Sequence, residues 1–177
     1  AEYLNCGYES FEKTLRSNFV DKSLLLKKLN GLLNTESQYV CLTRPRRFGK
    51  SVNAKMINAY YSKGCDSKEL FSTLKIANDS FFEKELNKHN VISLDIVKMI
   101  NSNNGTDGII EYITGQVITE LEKAFPNSFT TKNNLFKALS EINSNTGENF
   151  IVIIDEWDGI FRDHSHDEKL EIAMLIS

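Results

Sequence analysis

Apolar residues recur along this chain with two different periods, and the alternation between them predicts helices and strands in turn. Leu25, Leu29 and Leu32 fall at helical spacing after Asp21, so a helix is expected near 22–33 with Asp21 as its N-cap. A short strand is expected from Gln38 to Thr43, then a helix from about Lys50 to Ser62 that buries Val52, Met56, Ala59 and Tyr60. Short helical pieces follow near Lys68–Leu74 and Asp79–Lys88. They lead to a second strand over Val91-Ile92-Ser93-Leu94-Asp95-Ile96-Val97. Asn101 to Asp107 is polar and contains glycine, so it reads as a loop. From Asp107 the positions Ile110, Ile113, Val117, Leu121 and Phe125 repeat at helical spacing until Pro126 stops them. A further helix near Lys132–Asn143 carries Leu135, Leu139 and Ile142 on one face. Asn143 to Asn149 then turns the chain into the strand Ile151-Val152-Ile153-Ile154, which ends at Asp155.

Strands separated by helices imply an α/β fold: a parallel sheet with right-handed crossovers and a ligand site at the carboxyl ends of the strands. The length of 177 residues, with 41% hydrophobic and 25% charged, suits one domain spanning 1–177 with a buried core. No apolar run approaches the ~18 residues of a membrane span and no secretory pattern opens the chain, so a cytoplasmic protein is expected. The odd number of cysteines, Cys6, Cys41 and Cys65, shows no C-x-x-C spacing and suits free thiols in a reducing compartment. His89, His164 and His166 are weak candidates as metal ligands, the last two lying on a polar turn.

Two stretches carry candidate chemistry, and both stand at predicted strand ends. Arg44-Pro45-Arg46-Arg47-Phe48-Gly49-Lys50-Ser51 ends in Gly-Lys-Ser at the start of a helix. There, loop amides and the helix N-terminus can wrap a phosphate chain, Lys50 can reach the β and γ oxygens, and the Ser51 hydroxyl can ligate Mg²⁺. Downstream, the aliphatic strand delivers Asp155 toward that metal and leaves Glu156 to orient an attacking water. The first stretch departs from the pattern G-x-x-x-x-G-K-S/T, because Arg44 holds the opening glycine's place. Arginine there must take a compatible backbone conformation or shape the loop differently, and Pro45 stiffens the same bend. By itself this stretch also fits a basic surface turn; the paired Asp155-Glu156 segment is what favours a phosphate site.

These residues also carry a family resemblance. Phe19-Val20-Asp21-Lys22-Ser23, Leu42-Thr43-Arg44 through Ser51, and Ile153-Ile154-Asp155-Glu156-Trp157-Asp158 resemble the bacterial predicted AAA-ATPase (AAA-ATPase-like) family. Its members typically read Y-V-D-K-T, T-R-P-R-R-F-G-K-S/T and I-D-E-Y-D, with arginine usual in place of the first glycine. The resemblance runs in order from Asp21 to Asp158 and implies a P-loop NTPase-like parallel sheet flanked by helices. Trp157 stands where the family usually has tyrosine. The family motif also suggests Phe19, Asp21 and Lys22 for the base side of the nucleotide, although Asp21 is equally explained as a helix cap. In AAA-like folds a further strand inserts between the phosphate-loop strand and the Asp-Glu strand and carries a sensor residue. The closing stretch with Leu170, Ala173, Met174, Leu175 and Ile176 reads as an amphipathic helix broken off at Ser177. The resemblance therefore implies that the sensor strand, any arginine finger and a nuclease-like effector domain lie beyond this chain, or that a neighbouring copy completes the sheet.

The expected cofactors are thus ATP and Mg²⁺. Lys50 and the amides of Phe48 to Ser51 would hold phosphate, Ser51 and Asp155 the metal, and Glu156 the water. Arg46 and Arg47 can touch phosphate, pair with acidic neighbours or face a partner; Asp158 can cap the segment that follows it or take part in the chemistry. ATP is favoured over GTP, since no N-K-x-D string is present. Two rival functions stand beside hydrolysis. One is a nucleotide-gated switch without turnover. The other is a nucleic-acid-processing domain using Arg44, Arg46 and Arg47, to which a direct nuclease reading would add Asp155 with Asp167-Glu168-Lys169. The net charge of −3 argues against nucleic-acid binding by bulk electrostatics.

Overall fold

The computed structural model describes residues 2–17, 19–33, 39–44 and 50–155, with the backbone alone at positions 39–44, 50 and 51. In chain order the elements are α1 (Glu9–Leu15), α2 (Leu24–Leu33), β1 (Tyr39–Arg44), α3 (Lys50–Tyr61), α4 (Lys68–Phe71), a 3₁₀ turn (Lys75–Asn78) and α5 (Phe82–Glu85). β2 (Asn90–Asp95), α6 (Ile96–Ser102), α7 (Ile109–Ala124), α8 (Leu135–Thr146) and β3 (Phe150–Asp155) complete the described chain.

The sheet is parallel and three-stranded in the order β1-β3-β2. Its central strand, Phe-Ile-Val-Ile-Ile-Asp, is buried along its whole length, as a continuous aliphatic run requires when helices cover both faces. Successive side chains of a strand point to opposite faces. Accordingly Val152 and Ile154 of β3, with Ile92 and Leu94 of β2, pack against Ile113, Val117 and Leu121 of α7 and Leu135, Leu139 and Ile142 of α8. Ile151, Ile153 and Val91 meet Met56, Ala59 and Tyr60 of α3 on the other face, together with Phe11, Leu26 and Phe71. Each such side chain contributes roughly 1.5–3 kcal/mol by leaving water.

Local chemistry sets the ends of these elements. Asn134 accepts from the Lys137 amide at 3.0 Å to start α8, and Gly147, at φ +78, ends it in a conformation that disfavours a side chain. On the α3 side a buried polar chain is satisfied internally. The Tyr61 hydroxyl donates to Asn30 Oδ1 (2.6 Å), Asn30 Nδ2 donates to the Tyr60 hydroxyl (3.2 Å), and that hydroxyl donates to the Phe82 carbonyl (2.7 Å). Burial pushes the Tyr60 hydroxyl up to about 12 and raises that of Tyr61 as well, so both stay protonated donors. The outer edge of β2 is covered by the N-terminal segment: Asn5 N donates to the Val91 carbonyl at 2.8 Å and Ser93 N to that of Tyr3 at 2.9 Å. The Glu120 carboxylate on α7 accepts the Tyr3 and Leu4 amides at 3.0–3.1 Å and holds the segment there.

The expected α/β architecture with a parallel sheet is present, and four details differ. β1 pairs directly with β3 over six positions, Tyr39↔Phe150 to Arg44↔Asp155, so the edge of β3 where an intervening sensor strand was expected is already hydrogen-bonded to β1. β2 stops at Asp95 instead of running to Val97, because the Asp95 carboxylate accepts from the Lys98 amide at 3.1 Å and caps a helix at Ile96. That helix continues to Ser102, shortening the expected loop, which Asn103 folds back on itself through the carbonyls of Gly105 and Asp107. Finally, α2 begins at Leu24 and Asp21 is not its N-cap; Asp21 Oδ1 accepts from the Ser23 amide and Oδ2 from the Lys75 amide, both at 2.9 Å.

This use of Asp21 has a measurable consequence. Partial burial works to raise its carboxyl, but hydrogen bonds from the Ser23 hydroxyl and the Ser23 and Lys75 amides outweigh it and hold the group below its ordinary value. A depressed carboxylate contributes stability above its unfolded pKa of ~3.9 and loses it as pH falls through the folded value. Asp21→Asn is therefore expected to be less stable than the wild type at pH 7, by about 1 kcal/mol, and the gap should narrow in more acid solution. Urea melts of both proteins at pH 7 and pH 3 check this; a gap that stays constant contradicts it.

Candidate functional site

The last described residues of all three strands lie at the same level. The register places Arg44, Asp155 and Asp95 side by side at the carboxyl edge of the sheet, Arg44 and Asp95 each paired with Asp155. Following the alternation that puts Ile151 and Ile153 on the α3 face, Asp155 also faces α3. It is 8% exposed. β1 is described as far as Arg44 and α3 from Lys50. The first turn of a helix presents amides without intrahelical partners and the positive end of its dipole, both favourable to anions.

Between this face of the sheet, α3, α6 and the N-terminal segment lies a cavity of about 420 Å³. Asp155 lines it together with Ala54, Lys55 and Asn58 of α3, Ser93 and Asp95 of β2, and Lys98 of α6. Glu2, Tyr3 and Cys6 close it from the N-terminal side, with Lys98 Nζ 4.0 Å from Glu2 Oε1. Burial raises the Cys6 thiol, keeping it protonated.

The structure thus brings together Arg44, Asp155 and the helix that Lys50 and Ser51 begin. Pro45, Arg46, Arg47, Phe48, Gly49 and Glu156 lie outside the described residues, as do Trp157, Asp158, His164, His166, the triplet Asp167-Glu168-Lys169 and the expected C-terminal helix from Leu170. Asp21 stands apart from the cavity, its carboxylate engaged by backbone amides. His89 contacts Glu85 Oε2 at 2.6 Å with its ring edge-on to Tyr61. Among the described residues no group of three or more His, Cys, Asp or Glu side chains is arranged to hold a metal ion, and no helix is long and apolar enough to cross a membrane.

Asp95, Lys55 and Lys98 were not singled out from the sequence. The signal for Asp95 was present: like Asp155, it is an acidic residue ending a mainly apolar strand. Its neighbours Ile96 and Val97 disguised it by prolonging the apolar run.

A family model described as predicted AAA-ATPase matches residues 5–175, and the chain belongs to that family. No curated protein and no solved structure matches it.

Proposed function

We propose that this domain binds ATP with Mg²⁺ and hydrolyses it slowly. The observation that supports this most is the pairing of Arg44 with Asp155 at the carboxyl edge of the sheet, because α3, which starts with Lys50 and Ser51, is the element after β1 in the chain and Asp155 faces that helix. In this reading Lys50 and the amides of Phe48 to Ser51 hold the β and γ phosphates, with Arg44 to Arg47 shaping the loop. Ser51 and Asp155 would hold Mg²⁺, whose charge offsets that of the phosphates when bound; a hydroxyl and a carboxylate are the oxygen donors this ion takes. Glu156, next in the chain after Asp155, orients the attacking water and accepts its proton.

Trp157 is the only tryptophan of the chain and lies two residues beyond Asp155. Its fluorescence is expected to change on titration with ATP and Mg²⁺, in parallel with heat measured by calorimetry. Silent fluorescence together with no heat at millimolar ATP rejects the reading. Binding without phosphate release would instead select a nucleotide-gated switch.

A further inference from the structure

The N-terminal segment is at once a wall of the cavity and a strand of the sheet. Glu2, Tyr3, Cys6 and Gly7 line the cavity that Asp155 also lines, while Leu4 bridges Ile92 in antiparallel sense on the outer edge of β2. Its bonds to β2 reach three residues. Asn5 N donates to the Val91 carbonyl and Val91 N to Asn5 Oδ1, both at 2.8 Å; Ser93 N donates to the Tyr3 carbonyl at 2.9 Å, and Asn5 Nδ2 to Asn90 Oδ1 at 3.2 Å. Two of its side chains, Tyr3 and Leu4, join the core. β2 and β3, by contrast, share six register pairs. A segment held by so few contacts opens at a lower free energy than the strands it covers.

Two features suit such a movement. Gly7, at φ +87, lies between the segment and α1, in a backbone conformation that glycine enters and leaves freely. On the far side, the Glu120 carboxylate of α7 accepts the Tyr3 and Leu4 amides at 3.0–3.1 Å, and bonds to an ionised acceptor are stronger than neutral ones. Resting on the nucleotide reading, we propose that residues 2–6 are a strap that opens and closes over the nucleotide cavity, with Gly7 as its hinge and Glu120 as its latch. The open strap removes one wall of the cavity, so nucleotide is held best by the closed form and in turn holds the strap shut.

The amides of Val91 and Ser93 report on the strap, because both are bonded to it. Their hydrogen exchange, followed by NMR in the full chain, is expected to be faster than that of Ile151 to Ile154 in β3 and to depend little on low concentrations of urea, the signature of a local opening. Glu120→Ala should speed exchange at Val91 and Ser93 about 10- to 100-fold and leave the β3 amides as in the wild type, since alanine preserves α7. Glu120→Gln, which keeps an uncharged acceptor, should have a smaller effect in the same direction. Saturating ADP with Mg²⁺ should slow Val91 and Ser93 in the wild type about 10-fold or more. Exchange of Val91 and Ser93 only through global unfolding, or acceleration in Glu120→Ala that is equal across β2 and β3, would make the segment a fixed strand and overturn the proposal. Unchanged exchange at Val91 and Ser93 while calorimetry shows ADP bound also overturns it and leaves the nucleotide reading standing. Failure of the wild type to bind ADP at all overturns both.

Discussion

Replacing Glu156 by glutamine is expected to lower the rate of phosphate release from ATP by ~10²–10⁴, the span that a positioned general base contributes, while ATP–Mg²⁺ affinity stays as in the wild type. Glutamine keeps the length and shape of the side chain and can still hydrogen-bond a water, but it cannot accept the proton that water loses. The effect therefore falls on turnover and spares binding, which is the mark of a group acting only in the transition state. Phosphate release and calorimetric affinity, measured on both proteins, separate the two. Equal, nonzero rates in wild type and variant would remove Glu156 from the mechanism and turn attention to Asp155 or Asp158 as the water's partner.

Lys50→Ala should act at the other end of the cycle. An ammonium placed against the β and γ phosphates makes charge-assisted hydrogen bonds of roughly 1.5–3 kcal/mol each, so removing it is expected to weaken ATP–Mg²⁺ binding by about 10- to 100-fold. Helix α3 should survive the change, since alanine is the best helix former and the α3 residues that pack into the core are Ala54, Met56, Ile57, Ala59, Tyr60 and Tyr61. Calorimetry with ATP and Mg²⁺ measures the loss, and an unchanged melting temperature shows it to be local. Retention of wild-type affinity would mean that the phosphates are held elsewhere, and the case for this loop as a phosphate cradle would fail.

Long periodic segments were the most legible part of the chain. The repeat of Ile113, Val117 and Leu121 specifies α7 because its period matches that of a helix with one apolar face, and Pro126 bounds it. The run from Ile151 to Ile154 announces a strand covered on both faces. Legibility failed where the decisive contact is distant or a single polar atom intervenes. Nothing local says that β1 and β3 are neighbours, since Arg44 and Asp155 meet only after the helices between them have packed. The Asp95 carboxylate ends β2 by capping a helix inside an otherwise apolar run. The strand-like role of Tyr3 to Asn5 depends on Glu120, more than a hundred residues away. α1, of seven residues, is too short to show a clear period. At the candidate site, the motifs singled out Lys50, Ser51 and Asp155 because phosphate and metal chemistry would demand particular residue types at fixed spacing. Asp95 escaped notice because its relation to Asp155 exists only in the register of the sheet.

The covering of β2 by the first few residues bears on handling this protein. A strand rim with unpaired amides and carbonyls is a template for foreign β-structure, and here Tyr3 to Asn5 stand between that template and solution. Proteolytic nicking before Gly7, or a bulky fusion that pulls Tyr3 to Asn5 away, would bare the rim and invite self-association, while also removing one wall of the cavity that Asp155 and Asp95 share.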